Sequence, residues 1–176
     1  MERELADQLE SLHADAFGWA LHCCAGDHSR AEDVLQNAYL KIATGRTRHS
    51  GLSSFKTWWF GVIRYTAQEE FRRLRYRESL LGKLILQLRA DARDSRPSPS
   101  HQIELDEQSQ HLRTCLSLLP ARQAEVLHLV FYQDVTLNEA SVIMKISLGS
   151  VRQHYERGKY RLRSLLTPTQ PDESRK

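Results

Sequence analysis

The feature that most constrains this chain is a polar segment near its middle, residues 91–100, with the sequence Asp-Ala-Arg-Asp-Ser-Arg-Pro-Ser-Pro-Ser. It contains both signs of charge, three serines and two prolines, and no apolar side chain larger than that of alanine. Such a segment cannot bury enough apolar surface to offset the entropy lost on ordering, so it predicts an extended linker. About 90 residues precede it and about 75 follow it, which suits two small domains with modest cores. We expect a first domain over residues 1–90, a linker over 91–104, a second domain over 105–168 and a frayed tail over 169–176.

The composition excludes several classes of protein and favours helices. Of the 176 residues, 40% are hydrophobic and 27% are charged, which is the balance of a soluble globular chain. No run approaches the roughly 18 apolar residues needed to span a bilayer, and the N-terminus lacks the basic-then-apolar order of a secretory signal. Three cysteines, an odd number, argue against a disulfide framework and indicate a reducing, cytoplasmic compartment. Eight glycines, five prolines and few β-branched runs predict an all-α fold of two small helical domains joined by a flexible linker.

The charge is concentrated although the formal net charge is only +3. The stretch from Lys145 to Arg163 holds six basic residues and one acid, Glu156. The stretch from Arg64 to Arg77 holds five arginines and two glutamates. One basic strip in each half is the arrangement expected for two separate contacts with a polyanion.

In the first half, the spacing of apolar residues predicts a helix that ends at Gly45 and begins with a capping box, Ser29-Arg30-Ala31-Glu32. The stripe expected to be buried is Ala31, Val34, Leu35, Ala38 and Ile42. The opposite face carries a large aliphatic residue among three hydrogen-bonding side chains, which indicates a partner surface: Asp33, Gln36, Asn37 and Leu40. The alternative is an isolated exposed leucine on a solvated face, which is common in proteins.

The composition of Thr44–Ser54 predicts a loop, and Ser53 or Ser54 can cap the helix that follows. Trp58 and Trp59 fall on the apolar side of that helix, so core packing is favoured over base stacking. The other side is rich in arginine and contains a glycine that would let a phosphate approach closely. It consists of Thr57, Gly61, Arg64, Gln68, Arg72 and Arg75. This face is the better candidate for DNA, and a solvated charged face is its alternative.

The pattern of the second half predicts a helix-turn-helix preceded by two helices. The helix with Leu112, Cys115, Leu116 and Leu119 on one side stops before Pro120, and the next helix is expected to bury Val126, Leu127, Val130 and Phe131. Thr136–Glu139 is a capping box that opens a short helix, and Ser147 can cap the last helix after a brief turn. Two short helices, a tight turn and a basic second helix are the parts of a helix-turn-helix.

The last helix carries side chains suited to reading bases. Arginine can bond guanine bidentately, glutamine can do so with adenine, and glutamate can accept from the amino group of cytosine. Lys159, Arg161 and Arg163 are better placed for the phosphate backbone. The face opposite Val151 and Tyr155 consists of Gly149, Arg152, Gln153, Glu156, Arg157 and Tyr160, with His154 on the flank.

Four segments, in chain order, resemble motifs of the extracytoplasmic-function sigma factors, small members of the sigma-70 family. Residues 31–40 (AEDVLQNAYL) resemble the segment that docks on the polymerase β′ clamp helices, and residues 54–64 (SFKTWWFGVIR) the segment near the −10 element. Residues 119–126 (LPARQAEV) resemble the entry to the −35-binding domain, and residues 146–152 (ISLGSVR) the start of its recognition helix. The chain departs from the family pattern at Asn37, Tyr65, Lys145 and Gln153-His154.

The resemblance implies that the chain directs RNA polymerase to promoters and performs no chemistry itself. Its expected partners are core RNA polymerase (through the β′ clamp helices and the β flap), promoter DNA and an anti-sigma factor, often membrane-bound. The residues expected at the −35 element are Gly149, Ser150, Arg152, Gln153, His154, Glu156, Arg157 and Lys159. Those expected at the −10 element are Arg46, Arg48, Lys56, Thr57, Gly61, Arg64, Tyr65 and Gln68, where a flipped base would be held by the Thr44–Ser54 loop and the helix face beside it. Those expected to bind polymerase are Asp33, Gln36, Asn37 and Leu40.

Two other hypotheses stay open on the sequence. The first is a stand-alone helix-turn-helix regulator with an N-terminal sensing domain, which would bind duplex DNA without polymerase. The second is a metal-responsive module or metalloenzyme, prompted by His22-Cys23-Cys24 and His28. Adjacent cysteines on a helix point about 100° apart and lack the usual spacing of a structural zinc site, so a buried apolar role is favoured. We therefore expect no cofactor and no metal site.

Overall fold

The computed structural model describes residues 2–88 and 107–167. The predicted linker (91–104) and tail (169–176) lie outside the described residues, so these boundaries stay predictions. Within the described residues the chain forms eight helices and no strand, which confirms the all-α prediction. It divides into two compact units, the first containing α1–α4 and the second α5, α6 and α8. The helices are α1 (Glu2–Ser11), α2 (His13–Cys23), α3 (His28–Ala43), α4 (Phe55–Leu88), α5 (Glu107–Ser117), α6 (Ala121–Phe131), α7 (Leu137–Met144) and α8 (Leu148–Leu166).

In the first unit, α2, α3 and α4 each pack against the other two, and α1 lies against α2. Trp19, Trp59 and Phe60 are fully buried at the centre. The indole Nε1 of Trp19 donates a hydrogen bond to the carbonyl of Phe60 at 3.0 Å, so the polar edge of this ring is satisfied inside the core. Truncation of a buried tryptophan typically costs about 3–5 kcal/mol, so this cluster is a main source of stability for the unit.

The buried stripe of α3 is as predicted, but its cap is different. Ala31, Val34, Leu35 and Ala38 are buried, while Ile42 is only half-buried. The helix begins two residues earlier than the predicted capping box implies, because the Asp27 carboxylate accepts from the backbone N–H of Arg30 at 3.1 Å. A carboxylate at this position also interacts favourably with the positive end of the helix dipole, which explains why it caps in place of Ser29.

Helix α4 begins as predicted, since Ser54 Oγ accepts from the backbone N–H of Thr57 at 3.2 Å. The helix runs on for 34 residues, to Leu88. No proline occurs in this helix, and between Gly61 and Gly82 there is no glycine, so nothing in the sequence interrupts its arginine-rich second half.

In the second unit, α8 packs against α5 and α6. Val126, Leu127 and Leu129 of α6 are buried, but Phe131 is 60% exposed. The prediction that Phe131 lies inside is therefore wrong. It stands in the last turn of α6, where its ring stacks on Tyr155 of α8 with centroids 6.0 Å apart. Sequence spacing alone does not show that the helix ends there.

The predicted signals of the helix-turn-helix are confirmed. Thr136 and Glu139 cap each other's backbone N–H groups at 3.1 and 3.2 Å, which starts α7. Ser147 Oγ accepts from the N–H of Ser150 at 3.1 Å, which starts α8. The turn between them contains Lys145 with a φ of +53°, a conformation that glycine adopts more readily than any L-residue.

Candidate nucleic-acid interface

The first part of α8 presents the predicted reading face to solvent. Gly149, Arg152, Gln153, Glu156 and Arg157 are all exposed, and Tyr160 beside them is 76% exposed. On the opposite side of the helix, Val151 and Gly158 are buried. Ser147 caps α8, and the exposed face of this helix carries side chains that can pair with guanine, adenine and cytosine edges.

Three of the predicted −35 residues are less accessible than the rest. Ser150 and His154 are half-buried, and the Ser150 hydroxyl lies 2.9 Å from that of Ser147. Lys159 Nζ forms an ion pair with Glu156 at 3.0 Å and lies 4.5 Å from the ring centroid of Tyr155. Because of this ion pair, the Glu156 carboxylate and the Lys159 ammonium group lie side by side on the helix surface, and their charges offset each other.

An open groove of about 650 Å³ runs along α8 beside this face. Gln123 of α6 contributes to the groove although no sequence pattern predicts it, and its Oε1 is buried and has no hydrogen-bond partner within the described residues. A buried acceptor without a partner is unfavourable, so a donor that enters the groove, from water or from a ligand, would stabilise it. The groove is lined by Gln123, Glu156, Arg157, Tyr160, Arg161 and Ser164.

The groove lies where α6 packs closely against α8. A Cβ atom added at Gly158 would lie 3.1 Å from Leu127 Cδ1 and 3.3 Å from Gln123 Cβ. The absence of a side chain at Gly158 therefore lets α6 approach α8 closely enough to bring Gln123 to the groove.

The predicted −10 face of α4 is not the exposed strip that helical spacing suggests. Thr57 and Arg64 are 1% and 6% exposed, so the prediction that they lie on the outer face is wrong. Because α4 packs against both α2 and α3, its buried arc is wider than one apolar stripe. Thr57 belongs to the cap of α4, with its hydroxyl 2.7 Å from that of Ser54.

Arg64 is buried beside an exposed partner on the same helix. The Gln68 amide, with its oxygen turned toward Arg64, accepts from Nη1 and Nη2 at 3.1 and 3.0 Å. Gln68 itself is exposed. Arg64 therefore holds the orientation of the Gln68 amide, and Gln68 is the member of this pair that solvent can reach.

The remaining α4 candidates line an accessible surface. Tyr65 is 47% exposed, and its ring centroid lies 5.1 Å from Lys41 Nζ and 6.0 Å from Arg72 Cζ. A Cβ added at Gly61 would meet no atom within 4 Å, so the backbone there is open to close approach. Lys56 is half-buried and pairs with Asp15 at 3.0 Å.

A polar network between α3 and α4 fixes the base of this surface. Lys41 Nζ donates to Glu69 Oε2 at 2.7 Å and to Thr66 Oγ1 at 2.9 Å. The hydrogen bond from Lys41 is the main reason why the pKa of Glu69 lies below its usual value. The Lys41–Glu69 pair therefore fixes the position of the end of α3 against the middle of α4.

The loop between α3 and α4 carries two exposed arginines, Arg46 and Arg48. His49 packs against Phe55 and Trp58, with ring centroids 5.7 and 5.4 Å away. The loop therefore begins with basic side chains in solvent and ends against aromatic rings of α4.

The predicted polymerase-binding residues share one face of α3. Asp33 and Gln36 are exposed, Asn37 is half-buried and Leu40 is 58% exposed. Tyr39, next to Leu40, faces inward, where burial raises its pKa. Its hydroxyl lies 3.0 Å from His13 Nδ1. The face is thus an exposed polar surface with one large apolar side chain, on a helix whose other side is firmly packed.

The residues that prompted the metal hypothesis do not converge. Cys24 is buried, and burial followed by the nearby Asp27 raises the pKa of its thiol to about 11. The rings of His22 and His28 pack on Trp19 and Phe17, with centroids 5.4 and 5.8 Å apart. Among residues 2–88 and 107–167, no three His, Cys, Asp or Glu side chains are grouped so that they could hold a metal ion.

Among the described helices, none is both long enough and apolar enough to cross a membrane.

These features define a class: an all-helical DNA-binding protein with one unit carrying a helix-turn-helix and another carrying a separate basic and polar surface. Two family models, Sigma-70 region 2 and Sigma-70 region 4, match residues 9–77 and 115–164, which together are more than half of the chain. The chain belongs to the sigma-70 family of RNA polymerase sigma factors, in the extracytoplasmic-function group. The hypothesis of a stand-alone regulator is not favoured.

Individual relatives agree with this assignment. The ECF RNA polymerase sigma factor SigX of Bacillus subtilis (strain 168) is 25% identical over 159 residues, covering 90% of this chain and 81% of its own. The sigma factor RpoE of Bartonella quintana, solved in complex with the anti-sigma factor NepR, superposes with a TM-score of 0.67 at 21% identity, covering 96% of this chain and 99% of that one. CnrH, solved in complex with the cytosolic domain of CnrY, gives a TM-score of 0.61 at 16% identity, covering 94% and 89%. At these identities the two structures establish a shared fold.

Proposed function

We propose that this chain docks on core RNA polymerase in the cytoplasm and directs initiation at promoters with −10 and −35 elements, without catalysing a reaction itself. The observation that carries the proposal is the exposed face of α8, the second helix of the helix-turn-helix. Arginine, glutamine and glutamate side chains lie on this face, and Ser147 caps the helix. Its occurrence in one chain with a sigma region 2 unit supports two separate contacts with promoter DNA.

At the −35 element, α8 lies in the major groove with its N-terminal half toward the bases. Arg152, Gln153 and Arg157 are the direct readers, because they are exposed and can form bidentate contacts with purines. The Glu156–Lys159 pair contacts a cytosine amino group through its acid and a phosphate through its base. Gly149 and Ser150 lie at the start of the helix, where the backbone approaches the DNA, and His154 lies on the flank of the reading face.

At the −10 element, the accessible residues bind an unpaired strand. Arg46 and Arg48 contact phosphates, while Tyr65, Gln68 and the open backbone at Gly61 face the bases, with Lys56 at the edge. Thr57 and Arg64 act by positioning, since one caps α4 and the other orients Gln68. Unpairing a base costs a few kcal/mol, which a pocket for the flipped base can offset.

The polymerase contact is the face of Asp33, Gln36, Asn37 and Leu40, which docks on the β′ clamp helices, and the second unit contacts the β flap. An apolar side chain surrounded by polar ones is typical of a small hot spot with a hydrated rim. The predicted linker would pass through the polymerase interior between the two units.

An anti-sigma factor controls the chain in this proposal. A sigma factor of the same fold, RpoE of Bartonella quintana, was solved with the anti-sigma factor NepR, which supports the idea. The partner would cover the docking and DNA-binding faces, and a membrane-bound form would couple the chain to signals outside the cell.

Transcription in vitro with core polymerase on a promoter library tests the proposal. We expect Arg157→Ala to lower initiation selectively at promoters with a matching −35 base, by about 1–3 kcal/mol. Arg3→Ala, a change on α1 outside every proposed contact, is the control and leaves the preference unchanged. An equal loss on all templates, or no loss, contradicts base reading by Arg157.

The docking face is tested with two leucines of similar exposure. Leu40→Asp places a charge in the proposed apolar contact and should abolish co-elution with core polymerase, because an unpaired charge would have to be buried. Leu118 is 56% exposed, close to the 58% of Leu40, so Leu118→Asp is the matched control that retains co-elution. Unchanged co-elution of the Leu40 variant would refute the docking face.

A further inference from the structure

The turn between α7 and α8 contains a lysine in the left-handed region of backbone conformation. Lys145 has a φ of +53°. The backbone N–H of Ile146 donates to the carbonyl of Ser141 at 3.2 Å, which is the hydrogen bond of a Schellman motif at the end of α7. Lys145 therefore occupies the position of this motif that is usually glycine. A Cβ atom there crowds the neighbouring carbonyl, so lysine is less favourable than glycine for the fold.

The end of α2 has the same motif and serves as a comparison. Ala25 has a φ of +55°, and the N–H of Gly26 donates to the carbonyl of Leu21 at 2.9 Å. The N–H of Ala25 donates to the carbonyl of His22 at 3.1 Å. Both turns therefore hold a side chain where glycine is favoured, but only the turn between α7 and α8 carries a positive charge.

Lys145 is exposed and lies close to the end of α8 that is expected to enter DNA. Consecutive Cα atoms are 3.8 Å apart, so the Cα of Lys145 lies at most about 11 Å from that of Leu148, the first residue of α8. In a helix-turn-helix the N-terminal residues of the second helix contact bases in the major groove. This groove is about 12 Å wide, with phosphates along both edges. The four-carbon side chain of Lys145 can therefore reach a phosphate while α8 reads bases.

The segment around the turn offers Lys145 no acidic residue in sequence. No aspartate or glutamate occurs between Ala140 and Tyr155. The next acid along α8, Glu156, pairs with Lys159 at 3.0 Å. The acid before the segment, Glu139, accepts from the hydroxyl of Thr136 at 2.8 Å in the cap of α7. Phosphate groups of DNA would therefore meet a positively charged segment without an acid to repel them.

We propose that Lys145 binds one phosphate at the edge of the −35 element, and that this contact offsets the conformational cost of a lysine at this position. The inference rests on the proposed function, since it adds a residue to the −35 contact. A phosphate contact carries no base information, so Lys145 strengthens binding to every −35 sequence alike and fixes the position of α8 along the duplex.

The test replaces the lysine by the residue that suits the turn. Lys145→Gly should raise the urea midpoint of the second unit, because the left-handed conformation suits glycine. The same variant in holoenzyme should lose about 1 from the slope of log K against log salt concentration, measured by titration of fluorescent promoter DNA. Lys145→Arg keeps the charge and should keep the slope. Ala25→Gly makes the matching backbone change in the first unit, and it should leave the slope unchanged.

A scan of single methylphosphonates across the −35 element locates the contact. Neutralising one phosphate should weaken binding of the wild type and leave binding of Lys145→Gly unchanged, because the two changes remove the same interaction. If both proteins respond equally at every phosphate, the proposal is wrong. A loss confined to certain −35 sequences would contradict it too, since it would indicate a base contact.

A structural alternative predicts the opposite pair of results. Lys145 follows the last turn of α7, where a cation interacts favourably with the negative end of the helix dipole. If this is its only role, Lys145→Gly lowers the urea midpoint and leaves the salt slope unchanged, which would overturn the phosphate contact. If wild-type holoenzyme binds promoter DNA no more tightly than DNA without a promoter, the proposed function itself fails, which distinguishes the two.

Discussion

The thiol of Cys24 shows how strongly burial acts on a single residue of this chain. Its pKa is raised to about 11 by burial, so very little thiolate exists at pH 8. In a variant with Cys23→Ser and Cys115→Ser, we expect iodoacetamide to modify Cys24 at least about 100-fold more slowly in the folded protein than in urea, where an ordinary cysteine pKa applies. Mass spectrometry of the alkylated protein measures both rates. Equal rates would contradict the burial of Cys24.

Single residues also show where sequence reasoning ends. The faces that depend on one helix were predicted correctly: Leu40 and Arg157 are exposed on the expected sides of α3 and α8. Arg64 was predicted on an exposed face and is buried. The spacing of four residues places Gln68 beside Arg64 on α4, but the spacing does not show that α2 and α3 cover Arg64, which is a property of the packed unit.

At the scale of helices, two glycines with opposite surroundings give a matched prediction. Gly61 has open space where a Cβ would be, so Gly61→Ala should stabilise α4 by about 0.5–1 kcal/mol through helix propensity. At Gly158 a Cβ would meet the buried Leu127 at 3.1 Å, and overpacking typically costs about 1–3 kcal/mol. Gly158→Ala should therefore destabilise the second unit by about 1 kcal/mol in spite of the better propensity.

Urea unfolding of both variants, monitored by circular dichroism, measures these changes. If Gly61→Ala and Gly158→Ala both raise the free energy of unfolding, the distance between α6 and α8 at Gly158 must be larger than the structure shows. The Gly61→Ala variant carries a second readout, because an added methyl group at an open approach to DNA should slow promoter opening while leaving the fold more stable.

The start of a helix was predicted correctly where a single capping side chain precedes it. Ser54, Thr136 and Ser147 cap the helices that their positions predict, because each hydroxyl accepts from the backbone N–H three residues later and no other capping side chain competes with it. The start of α3 was wrong because two capping candidates stand within three residues, and the carboxylate of Asp27 prevails over the hydroxyl of Ser29. Phe131 is exposed because α6 ends there, so its ring is covered on one side by Tyr155 of α8 and open to solvent on the other; spacing within one helix does not show where that helix ends.

At the scale of the whole molecule, the distribution of charge explains how a chain with a net charge of +3 can bind DNA. Its basic residues are concentrated at the α3–α4 loop, along α4 and along α8, which lie in two different units. The polar composition of residues 91–100 predicted two domains from the sequence, and the order of the four sigma-factor motifs agrees with them. The residues of the proposed −10 surface were predicted less well, because the packing of α4 against both α2 and α3 buries Thr57 and Arg64.

The same division makes the salt dependence of promoter binding a test of two independent contacts. Each phosphate contact adds about 0.9 to the slope of log K against log salt concentration, so removal of one should lower that slope by about 1. Arg46 and Arg161 are exposed and lie in different units, so Arg46→Gln and Arg161→Gln share no partner and their effects should add. We expect each single variant of the holoenzyme to lose about 1 from the slope and the double variant about 2, measured by titration of fluorescent promoter DNA at several salt concentrations. Arg3→Gln, far along the chain from both basic strips, should leave the slope unchanged. If the slope of the double variant falls no further than that of one single variant, the two arginines belong to the same contact. The chain would then bind its promoter at one place only.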